Sequence, residues 1–397
     1  MIMYITSLAM EYSKKLAKFK NKRFLVLSAG GQQSGIQGIY VVTETDGWSI
    51  ISHAYLPYPS SISSVINDLA FGPQRALPLD ALGRLDHKIS HLFLECAKTI
   101  CANTQKSLQQ PHAIVLNKFS VWKAALSENT QAKYWDLELG DAKLLAASIK
   151  APVITDFMRY SVLGGKPGEL PLFPGICKIA KDNQGIVSHL IIGQIARLLI
   201  HDVHAAHTIV NSDTGPGTFL INKAALEAGC PDGFDRDGTF ANQGAIDAHC
   251  LESLAQTPWF LSPGPKQVDT IELLRLYGHE SLAEKSAYDK LSTLTALTAR
   301  SAFDFYKREY RHAIAPETLW VSGGGANNLA LMDYLKTYFA PLQVKRIDEL
   351  GIPAELFVPL ALGLTVDSFC RDESGPWKSG ANPEIDGIGT WVGVEAG

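Results

Sequence analysis

The sequence predicts an α/β protein of more than one domain. Short apolar runs alternate with longer segments of helical pattern through most of the chain, as layered strands and helices require. At 397 residues the chain exceeds the size at which a single hydrophobic core keeps growing. Glycine-rich turns follow apolar runs at residues 30–38, 215–217 and 323–325, where the backbone can approach a ligand closely.

Composition narrows the class. Hydrophobic residues make up 46% and charged residues 19% of the chain, ordinary for a globular protein. A net charge of -4 gives no electrostatic reason to expect nucleic acid or an anionic membrane as partner. Cys96, Cys101, Cys177, Cys230, Cys250 and Cys370 form no C-x-x-C pair. Free buried thiols in a reducing cytosol are therefore expected, with no zinc site or disulfide framework. Residues 1–10 are apolar and precede Lys14, Lys15, Lys18, Lys20, Lys22 and Arg23. A signal peptide carries its charge before the apolar run, so residues 1–23 read as an amphipathic extension. No apolar run is long enough to span a membrane.

Residues 23–28 read as a buried strand and 39–43 as a second, joined by a turn containing Gly30, Gly31 and Gly35. No G-K-[ST] follows, so this is not a Walker loop. Residues 80–105 read as a helix, 113–116 as a central strand and 141–149 as a helix. Residues 152–155 read as a strand entering Asp156-Phe157-Met158-Arg159. The Gly/Pro-rich stretch 164–174 reads as a binding loop or lid. Further strands are expected at 187–192, 208–210, 319–322 and 344–347, with helices at 219–228, 283–310, 329–339 and 358–370. No internal repeat is visible.

Two turns carry chemistry. Asp213-Thr214-Gly215-Pro216-Gly217 stands between a strand end and a helix start. Outward backbone N–H groups there can hold an anion such as phosphate, and the Asp213 carboxylate can take a proton. The alternative is an aspartate that caps the next helix. Gly323-Gly324-Gly325-Ala326-Asn327-Asn328, again between strand and helix, reads as a backbone-amide cradle for a nucleotide or as a tight turn. His201, His204 and His207 read as one helix face, a metal set or a solvated surface. No fourth ligand matches them, so no metal ligand is assigned.

Taken together these pieces resemble the anhydro-N-acetylmuramic acid kinases of the sugar kinase–Hsp70–actin superfamily, from about Phe24 to Val394. The matches are the Asp213 turn, Gly233-Phe234-Asp235-Arg236-Asp237-Gly238, Gly264-Pro265-Lys266, Gly323-Gly324-Gly325-Ala326-x-Asn328 and Asp348-Glu349-x-Gly351-Ile352-Pro353. The resemblance implies a two-lobed, actin-like (ribonuclease H-like) ATPase fold with a cleft between lobes. One lobe would be residues 1–151 with 375–397, the other 152–374. It also implies ATP and Mg²⁺ as cofactors, a small-molecule substrate and a homodimer. Water would open a 1,6-anhydro sugar ring while the γ-phosphoryl group passes to O6, with Asp213 as base. Gly30, Gly31, Gly35, Gly215, Gly217, Gly323, Gly324, Gly325 and Asn328 would serve the nucleotide. Asp156, Arg159 and Lys266 would line the substrate site.

The departures lie on the polar side. The family's S-G-T-S-x-D-G-x-D hairpin has Ser34 and Gln37 at its two aspartates. Its G-S-H-G-Q-T segment is Val115-Leu116-Asn117-Lys118-Phe119-Ser120. Its D-F-R-x-x-D ends in Ser161, and its N-I-G-G-F-S-N is Ile191-Ile192-Gly193-Gln194-Ile195-Ala196-Arg197. These losses admit an alternative: a pseudokinase whose scaffold binds a ligand or forms a dimer.

Overall fold

The computed structural model describes residues 12, 14–30, 35–45, 47–71, 77–105, 110–125, 134–163, 169–180, 185–205, 207–268, 270–371 and 388–393. By its contacts the chain divides into two units, residues 1–181 with 358–397 and residues 182–357.

The first unit opens with β1 (Lys22–Ala29), β2 (Gly35–Thr43) and β3 (Trp48–Pro57), an antiparallel meander. Next come β4 (Ala113–Asn117), a separate ribbon of β5 (Phe119–Ala125) and β6 (Tyr134–Leu139), and β7 (Val153–Thr155). β4 pairs parallel with β1 and β7 parallel with β4, so the sheet runs β3-β2-β1-β4-β7. β1 is central, and its Phe24, Leu25, Val26 and Leu27 are wholly buried, the continuous apolar run of a strand covered on both faces. β3 alternates half-buried with exposed residues.

Helix Leu79–Ala102 covers one face through Leu85, Ile89, Phe93 and Ile100. Helix Ala142–Ile149 starts at Asp141, whose carboxylate accepts N–H bonds from Lys143 (2.8 Å) and Leu144 (3.1 Å), an N-cap. Helix Phe357–Cys370 places Gly363 against Val26 and Val41. It also carries Asp367, which is 1% exposed and takes bonds from Lys178 Nζ (2.7 Å), Arg371 Nε (3.0 Å) and Thr43 Oγ1 (2.9 Å). Lys22 Nζ lies 3.3 Å away. Burial pushes the Asp367 carboxyl up, but Lys178, Lys22 and Arg371 outweigh it and hold it below the usual range.

The second unit repeats the order. β8 (Ile186–Ile192), β9 (Ile195–Asp202) and β10 (His207–Pro216) form an antiparallel meander, and β11 (Thr318–Ser322) and β12 (Gln343–Arg346) add parallel strands. The sheet runs β10-β9-β8-β11-β12. Helix Ala287–Glu309, capped by Ser286, buries Leu291, Leu294 and Leu297. Last in the chain, β13 (Thr390–Val392) joins the first unit by pairing antiparallel with β7. Each unit thus has a first strand flanked by an antiparallel pair on one side and two parallel strands on the other. This is the ribonuclease H-like order, and two copies in one chain give the actin-like ATPase fold.

Most predicted elements are present within a few residues, but β3, the β5–β6 ribbon, β9, β13 and the helices Ser60–Phe71, Ala248–Ala255 and Thr270–Tyr277 were among those not anticipated. The first unit continues past residue 151 because β7 belongs to its sheet, and it regains the chain at 358 rather than 375. The three histidines share no helix: His201 lies in β9, His204 in the following turn, and His207 opens β10. Residues 164–168 of the expected lid lie outside the described residues, and helix Phe173–Ile179 takes up its end.

Candidate functional site

Asp213 lies inside β10, opposite Arg197 of β9, with a register shift between Asp213 and Gly215. Such a bulge re-aims a side chain where a ladder ends. The residue is 5% exposed. Arg197 Nε donates to Oδ1 at 2.9 Å, and the Val268 N–H donates to Oδ2 at 3.0 Å. Its own N–H donates to the Lys266 carbonyl at 3.0 Å. An ionised carboxylate offers about four acceptor positions, so these bonds fix its orientation and leave capacity to take a proton.

The turn after it works differently from the sequence reading. The N–H groups of Gly217, Thr218 and Phe219 donate to the carbonyls of Gln194 (2.8 Å), Gly193 (2.8 Å) and Gln194 (3.2 Å). The β8–β9 turn therefore occupies the helix start, and those amides do not face an anion. A Cβ on Gly217 would collide with the Gly193 carbonyl, and one on Gly215 would meet Ser301 and Phe260. Both glycines serve close packing. Nor does Asp213 cap the helix, because the N-cap position is Thr218.

The glycine triplet forms a tight turn after β11. Gly323 has φ 83°, its N–H donates to the Ala354 carbonyl at 2.9 Å, and a Cβ there would strike the Ile192 carbonyl. The first turn bond runs from the Ala326 N–H to the Gly323 carbonyl at 3.0 Å. The amides of Gly324 and Gly325 precede it and have no acceptor within the turn. Gly324 is exposed, with open space where a Cβ would stand. Asn328 is 7% exposed and caps the next helix, its Oδ1 accepting the Leu331 N–H at 3.0 Å. Asn327 is held by Arg346 at 2.8 Å and by Glu355. Beneath the triplet, His189 Nε2 meets Ser322 Oγ at 2.8 Å, and its ring stacks on Phe357. Burial, then His201, pushes His189 down to about 3, so it is neutral at pH 7.

In the first unit, Gly30 and Gly35 close the β1–β2 turn by an N–H to carbonyl bond of 2.8 Å. Gly35 lies in β2, where a Cβ would strike the Leu56 carbonyl. Gly31 and Ser34 lie outside the described residues. Asp156 follows β7 with φ 62°, a conformation that non-glycine residues adopt at a cost. Lys118 Nζ is bonded to it at 2.7 Å, the pair being 17% and 14% exposed. Asn117 Nδ2 donates to Ser28 Oγ at 2.9 Å. These residues stand at the carboxyl ends of β1, β4 and β7, where open α/β sheets bind ligands. Arg159 is exposed on helix Phe157–Leu163.

Lys266 is not the open substrate contact expected of it. It is 8% exposed, and its ammonium donates to the carbonyls of Trp259 (2.7 Å), Phe260 (3.1 Å) and Ser262 (3.1 Å). The sequence reading also missed Arg197, Lys118 and Val268 as partners of the two acids. Arg197 is legible only through the β9–β10 register, and β9 itself was not anticipated.

A magnesium-like ion needs several oxygen ligands at once. Among the described residues no group of three or more His, Cys, Asp or Glu side chains could hold a metal ion. Asp156 and Asp213 are each already ion-paired.

The model of the anhydro-N-acetylmuramic acid kinase family matches residues 22–372. The kinase of that name from Vibrio vulnificus (strain YJ016) is 27% identical over 346 residues, covering 85% of this chain and 89% of the relative. The one from Rhodopseudomonas palustris (strain ATCC BAA-98 / CGA009) is 32% identical over 230 residues, covering 57% of this chain and 60% of that one. Among solved structures, the activator of the 2-hydroxyisocaproyl-CoA dehydratase from Clostridium difficile with bound ADPNP aligns at TM-score 0.43 and 10% identity. That alignment covers 91% of this chain and 98% of the other. No helix of the described residues is long and apolar enough to cross a membrane. With the family model matched from Lys22 to beyond Arg371, the chain belongs to the anhydro-N-acetylmuramic acid kinase family.

Proposed function

We propose that the chain is an ATP-dependent kinase of a 1,6-anhydro amino sugar or a closely related small molecule. Asp213 takes the proton of the attacking water as that water adds to C1 of the sugar. The C1–O6 bond breaks, O6 accepts the γ-phosphoryl group, and ADP leaves. The observation that carries this reading is the Asp213 carboxylate, fixed through both oxygens by Arg197 and the Val268 N–H, since a general base acts by position first. The amide of the exposed Gly324 supplies the nucleotide contact. Phosphoryl transfer is chiefly positioning and charge stabilisation, and no step is assigned to a metal here. A homodimer and a cytosolic location belong to the same proposal. The test is ADP release from ATP in the presence of 1,6-anhydro-N-acetylmuramic acid. Turnover in the wild type that is lost in Asp213→Asn supports the reading; absence of turnover on any anhydro sugar overturns it.

One observation favours a second reading, that of a nucleotide-binding pseudokinase. Both acids carry a cation at a position where the family pattern is changed: Arg197 stands at an asparagine position and Lys118 at a glycine position, and each is bonded to its aspartate. The bonded cation occupies carboxylate lone pairs that a general base needs for the proton it takes. In this reading the wild type binds ATP without turnover, and Arg197→Asn gains turnover. Calorimetry beside the ADP assay separates the two.

A further inference from the structure

We propose that Lys266 is a positioning residue for Asp213: its buried ammonium folds the 262–268 loop onto itself and thereby delivers the loop's backbone to the base. This rests on Asp213 being the base of the proposed reaction. The loop leaves the short helix Pro258–Leu261 and turns through Gly264 and Pro265. Lys266 reaches back over that turn, and its three donors take the carbonyls of Trp259, Phe260 and Ser262. Its ammonium lies 4.1 Å from the Trp259 ring centroid and 5.4 Å from that of Phe305, within cation–π range. The stretch held this way contacts β10 four times. The Lys266 N–H donates to Ser212 Oγ (2.9 Å), Ser212 Oγ to the Lys266 carbonyl (3.2 Å), the Asp213 N–H to that carbonyl (3.0 Å), and the Val268 N–H to Asp213 Oδ2 (3.0 Å). Lys266, beside Arg308, which donates to the Ser262 carbonyl at 3.1 Å, thus holds the loop that fixes both the backbone and the carboxylate of Asp213.

The ammonium is also a weak point. Burial, then the nearby Arg308, pushes Lys266 down to about 8, against smaller opposite effects of Glu309 and Asp213. The charged groups facing it are therefore Arg308 and Glu309 at the end of helix Ala287–Glu309 and Asp213 of β10. Above that pH the side chain has two donors for three carbonyls, and the loop loosens without the fold being lost.

The test is hydrogen exchange of the peptide spanning 262–268 in the intact chain, together with kinetics. In Lys266→Met at pH 7 exchange there accelerates at least about tenfold while the rest of the second unit is unchanged. kcat falls about tenfold to a hundredfold, with KM for ATP within about twofold, as for a misplaced base. Lys266→Arg, which keeps the charge, restores most of both. In the wild type, exchange at 262–268, corrected for its intrinsic pH dependence, rises between pH 7 and 9, and kcat falls over the same range. Unchanged exchange in Lys266→Met, or a flat wild-type profile, overturns the inference even if the kinase reading stands. Faster exchange in a protein with no turnover keeps Lys266 as the holder of the loop and removes the kinase reading.

Discussion

The two units have one topology and differ in what they set at its polar end. In the second unit the β8–β9 turn is short and packs onto the start of helix Phe219–Glu227, so Asp213 sits in a strand with every neighbour fixed. In the first, Asp156 hangs from the end of β7 in a left-handed conformation, held by one lysine just beyond the end of the adjacent β4. Departures from the family pattern touch both ends. The second unit keeps its aspartate and its glycine triplet, whereas the first has Ser34 and Gln37 at the hairpin aspartates. Scaffold and chemistry are thus separable: buried apolar runs preserve the sheet order while the residues at strand ends change freely.

The comparison breaks first at the two acids. Asp213→Asn is expected to lower kcat by about 10²–10⁴-fold, the usual contribution of a general base. Asp156→Asn, which tolerates the left-handed backbone, costs about tenfold, the equivalent of one hydrogen bond. Steady-state kinetics of both variants decide it, and a larger loss at Asp156 would move the chemistry to the first unit. Next, Gly323→Ala places a side chain at positive φ against the Ile192 carbonyl and should destabilise by about 1–3 kcal/mol and weaken ATP. Gly324→Ala, one residue on and open to solvent, should stay within about 0.5 kcal/mol. Urea melts and ATP titrations of the pair check this.

The smallest effect is in acid. His189 and His201 are buried in the second unit and pushed down to about 3, chiefly by burial. The first unit has one such histidine, His112, half-buried and pushed down to about 4 by burial and Arg23. Below an unfolded value near 6.5 the unfolded chain takes up protons that the native one refuses, so stability falls as pH drops. The slope is at most about 1.4 kcal/mol per pH unit for each histidine. Asp367 acts lower: its carboxyl is depressed, so its contribution is present above the ordinary value near 3.8 and is lost only below it. Between pH 6 and about 4 the second unit should therefore weaken more than the first. Hydrogen exchange resolved by unit measures this, and equal loss in both would break the contrast.

Much of this was legible in the residues. Helix Leu329–Phe339 follows its asparagine cap, and the strands ending at Asn117, Thr155 and Ser322 are plain apolar runs. β3 was missed because its half-buried and exposed residues share one mixed polarity, and β9 because its apolar run is broken by Arg197 and His201. Without β9 no repeat of the first meander could be seen, nor the partner of Asp213. The Asp213 turn was misjudged for a related reason. Its glycines look like those of a phosphate loop, yet what they make room for is the Gly193 carbonyl. Local sequence cannot tell a backbone approached by a ligand from one approached by another strand.

The cluster around Asp367 has an uneven tolerance to change. Three cations converge on that one acid, so losing Lys178 or Arg371 subtracts a single partner and leaves a compensated group. Changing Asp367 to asparagine would strand positive charge in the interior, Lys22 most deeply, since it is wholly buried and its ammonium has no hydrogen bond. Variation in that corner of the molecule should therefore run in one direction, with the bases exchangeable one at a time and the acid held fixed.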